Sequence, residues 1–590
     1  MRRTLLLFAA PLVLLTACAG IPARPVSSAD AGLSEVSSAT SQYGLFLAGQ
    51  AALSDGRSAQ AADYFERAQA ADALEAAERA EGIAEADATA DTAGSVVGER
   101  AFLAALMAGE VSRAAAIAPM GEDASEGARR LGRLTVAVET MAQGKGKAAA
   151  QMLANEDIGF PHRSAAALLA PWAAAQAGDV EGSLVRPEVQ GDRLVEYVGQ
   201  LGQAHLFERA RRFDEAETDY KALAQTARPS DMAVLAYGEF LERRGRRADA
   251  VALYDTTLAR DPHRAAVKAA RARAAAGKPA PAAPTLREGA AQALMTPAAA
   301  MLAANQNQLG LTYLRLSLRL DPHRGEAWLM VGDVLSGAGD LVGARAAYEK
   351  PKRGSPEYAA ARAKMAWTYQ TEGQTEAALQ FAREAAASGD ADSRLNLADL
   401  LRANDQYAES AQVLTTLIDE SPKPDWRLLY ARGVAYERIG RWPDAERDLQ
   451  EALKLQPEDP ELLNYLGYSW IDRGEHLKEA MAMVEKAVGI NPRSGAMVDS
   501  LGWAHYRLGD YAKAVEYLEE AIELEAGDPE INNHLGDAYW RVGRRDEAVF
   551  QWRRVLTLEP DAKIKADAEA KLKSGLGPAG PATTSRIAGP

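Results

Sequence analysis

The C-terminal third of this 590-residue chain repeats itself every 34 or 35 residues, and no other feature constrains the fold as strongly. The period is marked by four glycines, namely Gly433, Gly467, Gly502 and Gly536. Each of these glycines is followed at fixed distances by a second glycine and by an alanine. In the first unit these are Gly440 and Ala445. Strand-like alternation of apolar and polar residues is hard to find, so each unit predicts two helices that bury their apolar faces only by stacking on neighbours.

The residue types explain how such a unit would fold. The first glycine and the alanine are small, which favours a close approach of two helices at those points. The second glycine is typical of a helix end, where the left-handed conformation is needed. Proline cannot continue a helix, and Pro457, Pro492 and Pro560 close three of the units. Each unit therefore predicts a helix A, a tight turn and a helix B.

This spacing of glycine, alanine and proline resembles the tetratricopeptide repeat. Weaker copies occur upstream, for example around Gly332 and Gly238. The resemblance implies an all-α fold, a right-handed α-solenoid of about twelve helical hairpins whose N-terminal half is degenerate.

The chain divides into segments of different composition. A Pro-rich stretch at 277–284 is either a loop inside one atypical hairpin or a break between two parts of the solenoid. The expected segments are a signal peptide at 1–17, a flexible tether at 18–41, a degenerate solenoid at 42–276, the Pro-rich linker or loop at 277–284, a repeat array at 285–562, a capping helix at 563–573 and a disordered tail at 574–590.

The N-terminus predicts export and lipidation. A basic start is followed by an apolar stretch at 4–15 that is too short to span a bilayer. It ends in Leu-Thr-Ala-Cys, which resembles the bacterial lipobox, and Cys18 is the only cysteine of the chain. The resemblance implies a lipidated Cys18, and Ala19 after it favours the outer membrane. The alternative is an ordinary signal peptide with an incidental cysteine.

Composition and motifs argue against catalysis and against nucleic acid. The net charge is −15, whereas phosphate binding needs a basic surface. A phosphate-binding loop, an H-E-x-x-H zinc pair and a G-x-S-x-G nucleophile elbow are all missing from the sequence. We therefore expect no enzyme activity and no cofactor or metal, and contact with a membrane only through the lipid anchor.

The resemblance also implies where a partner would bind. In this family the A helices line the concave face of the solenoid, and a few repeat positions point into it. Carried over to the last four repeats, those positions give the expected groove residues Tyr430, Arg438, Asn464, Tyr468, Asp499, Trp503, Tyr506, Arg507, Asn533, Asp537, Trp540 and Arg541. Aromatic side chains and arginine are enriched among residues that dominate binding energy.

The whole chain resembles the long tetratricopeptide lipoproteins of Gram-negative envelopes. Within 460–556, the runs 464–468 and 499–503 are similar to those of lipoprotein adaptors that tether and activate a periplasmic carboxy-terminal processing protease. This implies a lipid-anchored scaffold of the outer membrane that faces the periplasm and binds periplasmic or outer-membrane proteins. The alternative is a structural component of a machine that assembles outer-membrane proteins, pili or exopolysaccharide.

Overall fold

In the computed structural model, the protein is all-helical. The structure describes residues 42–54, 56–80, 90–154, 157–189, 191–261, 264–421, 423 and 425–577, and within these ranges it contains 30 helices and no strand. They form two compact units, an N-terminal unit up to Leu400 and a C-terminal unit from Leu401.

The N-terminal unit contains helices α1 to α19 and most of α20. Their bounds are α1 Gln42–Ser54, α2 Ser58–Ala80, α3 Ala90–Ala108, α4 Val111–Ala116, α5 Glu126–Ala142, α6 Gly146–Leu153, α7 Arg163–Gln176, α8 Val180–Ser183, α9 Arg193–Arg209, α10 Phe213–Ala224, α11 Asp231–Arg243, α12 Arg247–Arg260, α13 Ala265–Ala275, α14 Leu286–Ala303, α15 Asn307–Leu320, α16 Gly325–Gly337, α17 Leu341–Tyr348, α18 Tyr358–Thr371, α19 Thr375–Ala386 and α20 Ala391–Ala403.

The C-terminal unit contains the better-formed repeats. Its helices are α21 Tyr407–Glu420, α22 Trp426–Arg438, α23 Trp442–Leu455, α24 Pro460–Arg473, α25 Leu477–Ile490, α26 Gly495–Arg507, α27 Tyr511–Leu524, α28 Pro529–Arg541, α29 Arg545–Val555 and α30 Ala562–Ser574. From α22 to α29 they pair as four consecutive hairpins, α22 with α23 through α28 with α29.

The start and end of these helices follow from a few residues. Asp528 caps α28 because its carboxylate accepts from the backbone N–H groups of Glu530 and Ile531, and Pro529 fills the first helical position, where no N–H is needed. Asp459 caps α24 in the same way. The turns after the A helices are left-handed at Gly440 (φ 76°) and Gly543 (φ 86°), as their place in the period predicts.

Inside each hairpin, helix B lies directly on the glycine of helix A. A Cβ atom at Gly536 would lie 2.5 Å from Nε1 of Trp552, which is fully buried on α29. At Gly433 the nearest atom would be Cγ of Leu449 at 2.9 Å. These distances are shorter than a carbon contact allows, so only glycine permits this spacing. The predicted fold class, an all-α array of helical hairpins, is confirmed.

The N-terminal unit departs from a simple sequential stack. Helix α14 packs on α7 rather than on α13, which precedes it in the chain. One hydrophobic core is formed by residues within 45–206 and 290–365, while a separate core is formed within 201–274. The Pro-rich stretch at 277–284 thus lies in the connection between α13 and α14, where the chain passes from the smaller core back to the larger one.

Helix α15 covers the A helices of the N-terminal hairpins. It packs against α3 and α5, and Arg319 forms an ion pair with the buried Glu139 of α5 at 2.7 Å. Arg315 donates to the carbonyl of Met107 at 3.0 Å, and the buried Tyr313 hydroxyl is 2.8 Å from Nδ1 of His162. The face that these A helices would offer to a partner is therefore occupied by the chain itself.

Several expected segments fall wholly or partly outside the described residues. These are the signal peptide at 1–17, the tether at 18–41 with Cys18, and residues 578–590 of the C-terminal tail. The expected capping helix at 563–573 coincides with α30, and residues 575–577 are described after it. The boundary between the two compact units lies inside the segment expected as one array at 285–562.

The close approach at Gly536 predicts the effect of one added methyl group. Gly536→Ala should lower the free energy of unfolding by about 1–3 kcal/mol, because Trp552 must move away from its buried position. Urea unfolding followed by tryptophan fluorescence measures the change.

A matched control is available on α25. Gly489 is exposed, and a Cβ there meets nothing within 4 Å. Gly489→Ala should leave stability unchanged or raise it by about 0.5–1 kcal/mol, since alanine is the better helix former. Equal effects of the two substitutions would contradict the assigned role of Gly536.

Candidate functional site

The twelve residues expected in the groove lie on the A helices α22, α24, α26 and α28, but they differ in exposure. Arg438 is exposed, whereas Asp499, Asn533 and Asp537 are buried. The others are half-buried, namely Tyr430, Asn464, Tyr468, Trp503, Tyr506, Arg507, Trp540 and Arg541. The structure therefore gives these residues different partners and different roles.

The four groove residues of α28 contact the C-terminal end of the chain. Lys571 of α30 donates to Oδ2 of Asp537 at 2.8 Å and to Oδ1 of Asn533 at 3.1 Å. Beyond α30, the Arg541 guanidinium donates to the carbonyl of Gly577 at 2.7 Å. A Cβ at Gly575 would lie 2.1 Å from the Trp540 ring. The polar and aromatic groups of the last repeat thus hold the chain's own cap.

A buried ion pair joins α26 to α28. Nδ1 of His534 lies 3.0 Å from both carboxylate oxygens of Asp499, and both side chains are more than nine-tenths buried. The His534 ring stacks on Trp503 at a centroid distance of 4.0 Å, and Trp503 also stacks on Tyr506 at 4.6 Å. The Trp503 ring is thereby fixed between two helices.

The surroundings of His534 keep its imidazole protonated. Burial disfavours the charged ring, but the carboxylates of Asp499 and Glu530 outweigh burial and raise the pKa of His534 to about 9. Burial also raises the pKa of Asp499, against the opposing effect of His534. The charged pair therefore exists between the pKa of Asp499 and that of His534.

One hydrogen bond crosses the face of α26. The Tyr468 hydroxyl of α24 donates to Oε1 of Glu530 on α28 at 2.8 Å, although α26 packs between these two helices. Along the same face, Arg507 donates to the carbonyl of Asp472 at 2.6 Å. The A helices of three successive repeats are therefore linked through side chains on the side where a partner would lie.

Two buried polar atoms of this face have no hydrogen-bond partner among the described residues. They are Oδ1 of Asn464 on α24 and Nε1 of Trp503 on α26. An unpaired buried donor or acceptor is unfavourable, and few remain in native proteins. An acceptor and a donor on neighbouring helices A suit the N–H and C=O groups of a peptide backbone.

Two residues of this cluster were not among the twelve. Glu530 occupies a repeat position that the family template places in the groove. Applying the template to this position of the last repeat would therefore have predicted Glu530 as a groove residue. His534 lies at a repeat position that the family template does not place in the groove. Its pairing with Asp499 depends on the neighbouring repeat, and no local signal in the sequence indicates it.

Among the described residues, no group of three or more histidine, cysteine or acidic side chains could hold a metal ion. In the same part of the chain, no helix combines the length and the apolar character needed to cross a bilayer.

The His534–Asp499 pair predicts a pH dependence of stability. Because the folded pKa of His534 is raised above its unfolded value, its contribution is fully present below about pH 6.5 and is lost as pH rises through about 9. The urea midpoint should fall between pH 6.5 and 9.5, and His534→Gln should remove part of this slope.

The exposed His476 offers the control for this measurement. His476→Gln makes the same substitution outside the pair, so a loss of slope seen only in His534→Gln is assigned to the pair. Direct titration of His534 by NMR should place its pKa well above 6.5, and a value near or below 6.5 would contradict the charged pair.

The comparisons with known proteins agree with this architecture. Two family models, both described as tetratricopeptide repeat, match residues 395–560 in one case and residues 201–265 and 363–425 in the other. The chain is 34% identical over 140 residues to the TPR repeat-containing protein PA4667 of Pseudomonas aeruginosa. The matched region covers 24% of this chain and 23% of that protein.

Other similar proteins include enzymes. The chain is 25% identical over 171 residues to a probable UDP-N-acetylglucosamine–peptide N-acetylglucosaminyltransferase SPINDLY of Hordeum vulgare, covering 29% of this chain and 18% of that protein. It is 27% identical over 159 residues to aspartyl/asparaginyl beta-hydroxylase of Mus musculus, covering 26% of this chain and 20% of that protein. The chain spans about a fifth of the length of the curated relatives it matches.

Solved structures with similar helical repeats include APC/C hetero-tetramer Cut9-Hcn1, with 16% identity, a TM-score of 0.37, and coverage of 82% of this chain and 96% of that chain. MamA is 24% identical, with a TM-score of 0.24, over 29% of this chain and 97% of that chain. Such repeats generally mediate contacts between proteins. The family models and the hairpin geometry together identify residues 201–265 and 363–560 as tetratricopeptide repeats.

Proposed function

We propose that this protein is an envelope-anchored scaffold that binds a partner protein on the face formed by α22, α24 and α26. The observation that carries the proposal is the pair of unpartnered polar atoms on this face, Oδ1 of Asn464 and Nε1 of Trp503. An extended segment of a partner would supply the missing hydrogen bonds from its backbone. No catalytic role is assigned to the chain.

The remaining chemistry of the face supports a peptide ligand. Tyr430 and Tyr465 pack edge to face at 5.6 Å and offer an aromatic surface beside Asn464, while Arg438 is exposed at the end of α22. Residues 458–530 carry 16 acidic and 6 basic side chains, which favours a partner segment with lysine or arginine.

Two other faces of the chain are less suited to a partner. In the N-terminal unit, α15 lies on the A helices α3 and α5. At the C-terminus, α30 and residues 575–577 hold the groove residues of α28. This leaves the α22–α26 face, with the unpartnered Asn464 Oδ1 and Trp503 Nε1, as the proposed partner surface.

We propose further that the partner is a soluble periplasmic carboxy-terminal processing protease, tethered to the outer membrane through lipidated Cys18. Support comes from the resemblance of 464–468 and 499–503 to lipoprotein adaptors of such proteases and from the lipobox. The alternative partner class is the integral β-barrel or secretion component of an assembly machine. A protease would be captured stoichiometrically as a soluble enzyme, whereas a machine component would co-purify with barrel proteins.

Asn464→Leu separates binding from folding. Asn464 makes no hydrogen bond to any described residue through its side chain, so replacing it with a residue of similar size should leave stability unchanged. Affinity for the partner should fall about tenfold or more, because backbone groups of the ligand lose their partner. The measurement is in-cell cross-linking, affinity capture and mass spectrometry of the lipidated chain.

The outcomes distinguish the alternatives. Gln450→Leu on helix α23 is the matched control and should capture the partner as the unaltered chain does. Loss of a periplasmic protease from the Asn464→Leu capture alone supports both the face and the adaptor function. Capture dominated by barrel proteins would replace the adaptor with the machine component, and capture unaffected by Asn464→Leu would exclude the α22–α26 face.

The proposed anchor has its own test. Cys18→Ser should remove palmitate labelling and move the protein from the outer-membrane fraction to the periplasmic fraction, because no thiol remains for acylation. A substitution of the neighbouring Ser27, which lies in the tether, should leave the protein in the membrane fraction. Persistent membrane association of Cys18→Ser would contradict the lipid anchor.

A further inference from the structure

A partly open pocket lies in the N-terminal unit where α7, α9 and α14 meet, at the point where the smaller core joins the larger one. It has a volume of about 140 Å³, and most of its wall is apolar. The lining includes Leu168 and Trp172 of α7, Val198 and Leu206 of α9, and Met232 of α11. Neither the repeat packing nor the proposed partner surface uses this pocket.

A donor without a partner lies in the pocket wall. Trp172 is only 3% exposed, yet its indole N–H has no hydrogen-bond partner among the described residues. Gly202 also lines the pocket, and a Cβ atom added there would lie 3.5 Å from Nε1 of Trp172. The N–H edge of the indole thus faces the space in front of Gly202, and buried indoles normally donate this proton.

An acceptor lies in the same wall. Glu208 forms an ion pair with Arg243 at 2.8 Å and is therefore a carboxylate, so the Tyr220 hydroxyl, 3.0 Å away, donates to it. The hydroxyl oxygen then receives the proton of His205 Nδ1 at 2.7 Å. Burial lowers the pKa of His205 to about 4, so the ring is neutral and Nε2 carries a lone pair, with no partner in the described part of the chain.

We propose that this pocket binds a phenolic ring, whose hydroxyl accepts from Trp172 Nε1–H and donates to His205 Nε2. A phenol combines an apolar ring with one group that is both donor and acceptor, and therefore suits the Trp172 N–H and His205 Nε2 together. The volume suits a single ring, since a cavity of about 150 Å³ accommodates benzene. The phenol comes either from a tyrosine side chain of a protein or from a free small molecule.

The test uses p-cresol, the analogue of a tyrosine side chain, and toluene, which lacks the hydroxyl. The full chain is labelled with 5-fluorotryptophan, and the ¹⁹F resonance of Trp172 is assigned with Trp172→Phe among the nine tryptophans. We expect p-cresol to shift this resonance and to bind at least about tenfold more tightly than toluene, because only p-cresol satisfies the two polar atoms.

Variants of the glycines provide the controls. Gly202→Leu should abolish the shift, since the first carbon is accommodated and the rest of the side chain fills the pocket. Gly202→Ala is a smaller change and should weaken the binding of p-cresol. It provides the test if Gly202→Leu unfolds. Gly127→Leu places the same side chain on α5, where a Cβ meets nothing within 4 Å, and should bind p-cresol unchanged.

The outcomes decide both the site and the source of the ring. Equal binding of toluene and p-cresol, or no shift of the Trp172 resonance, would overturn the proposal. A Gly-Tyr-Gly peptide with blocked ends that binds as well as p-cresol identifies a tyrosine side chain as the source, with Gly-Phe-Gly as its control. Binding of p-cresol without binding of the peptide identifies a free phenol.

Discussion

The contact between a glycine of helix A and a large side chain of helix B determines the rest of the array. In the last hairpin Trp552 lies on the backbone of Gly536, and in an earlier one Leu449 lies on Gly433. Because no side chain separates the two helices, each hairpin is thin and rigid, and the next one stacks on it in a similar way. This stacking brings the A helices side by side, which is what allows Asp499 to meet His534 and Tyr468 to reach Glu530.

Some polar groups on the A helices bind other residues of the same chain, and others have no partner in the part of it that the structure describes. Asp537 and Asn533 are held by Lys571, so their burial is compensated inside the chain. Asn464 has no such compensation, and a buried unpaired acceptor is tolerated in a native protein where something else supplies its partner. The same reasoning distinguishes Trp172 from Trp552, whose indole N–H donates to Asp537 at 3.0 Å.

The sequence was sufficient to predict the parts that depend on local periodicity. Gly440 and Gly543 indicated their left-handed turns, and Gly433 and Gly536 indicated close contacts, because residue type and spacing determine both. The packing of α14 on α7 could not be predicted, since no period connects these helices. The repeat template also placed Asp499 on a helix A. Its burial could not be predicted in the same way, because it depends on the pairing with His534 one repeat away.

The ion pair of Arg319 with Glu139 joins residues that are 180 positions apart. A solenoid with contacts only between neighbours can fold progressively while it is synthesised, one hairpin after another. Here the apolar face over α3 and α5 stays uncovered until α15 has been made. Until then the N-terminal hairpins expose apolar surface, and partly folded chains of this kind are prone to aggregate.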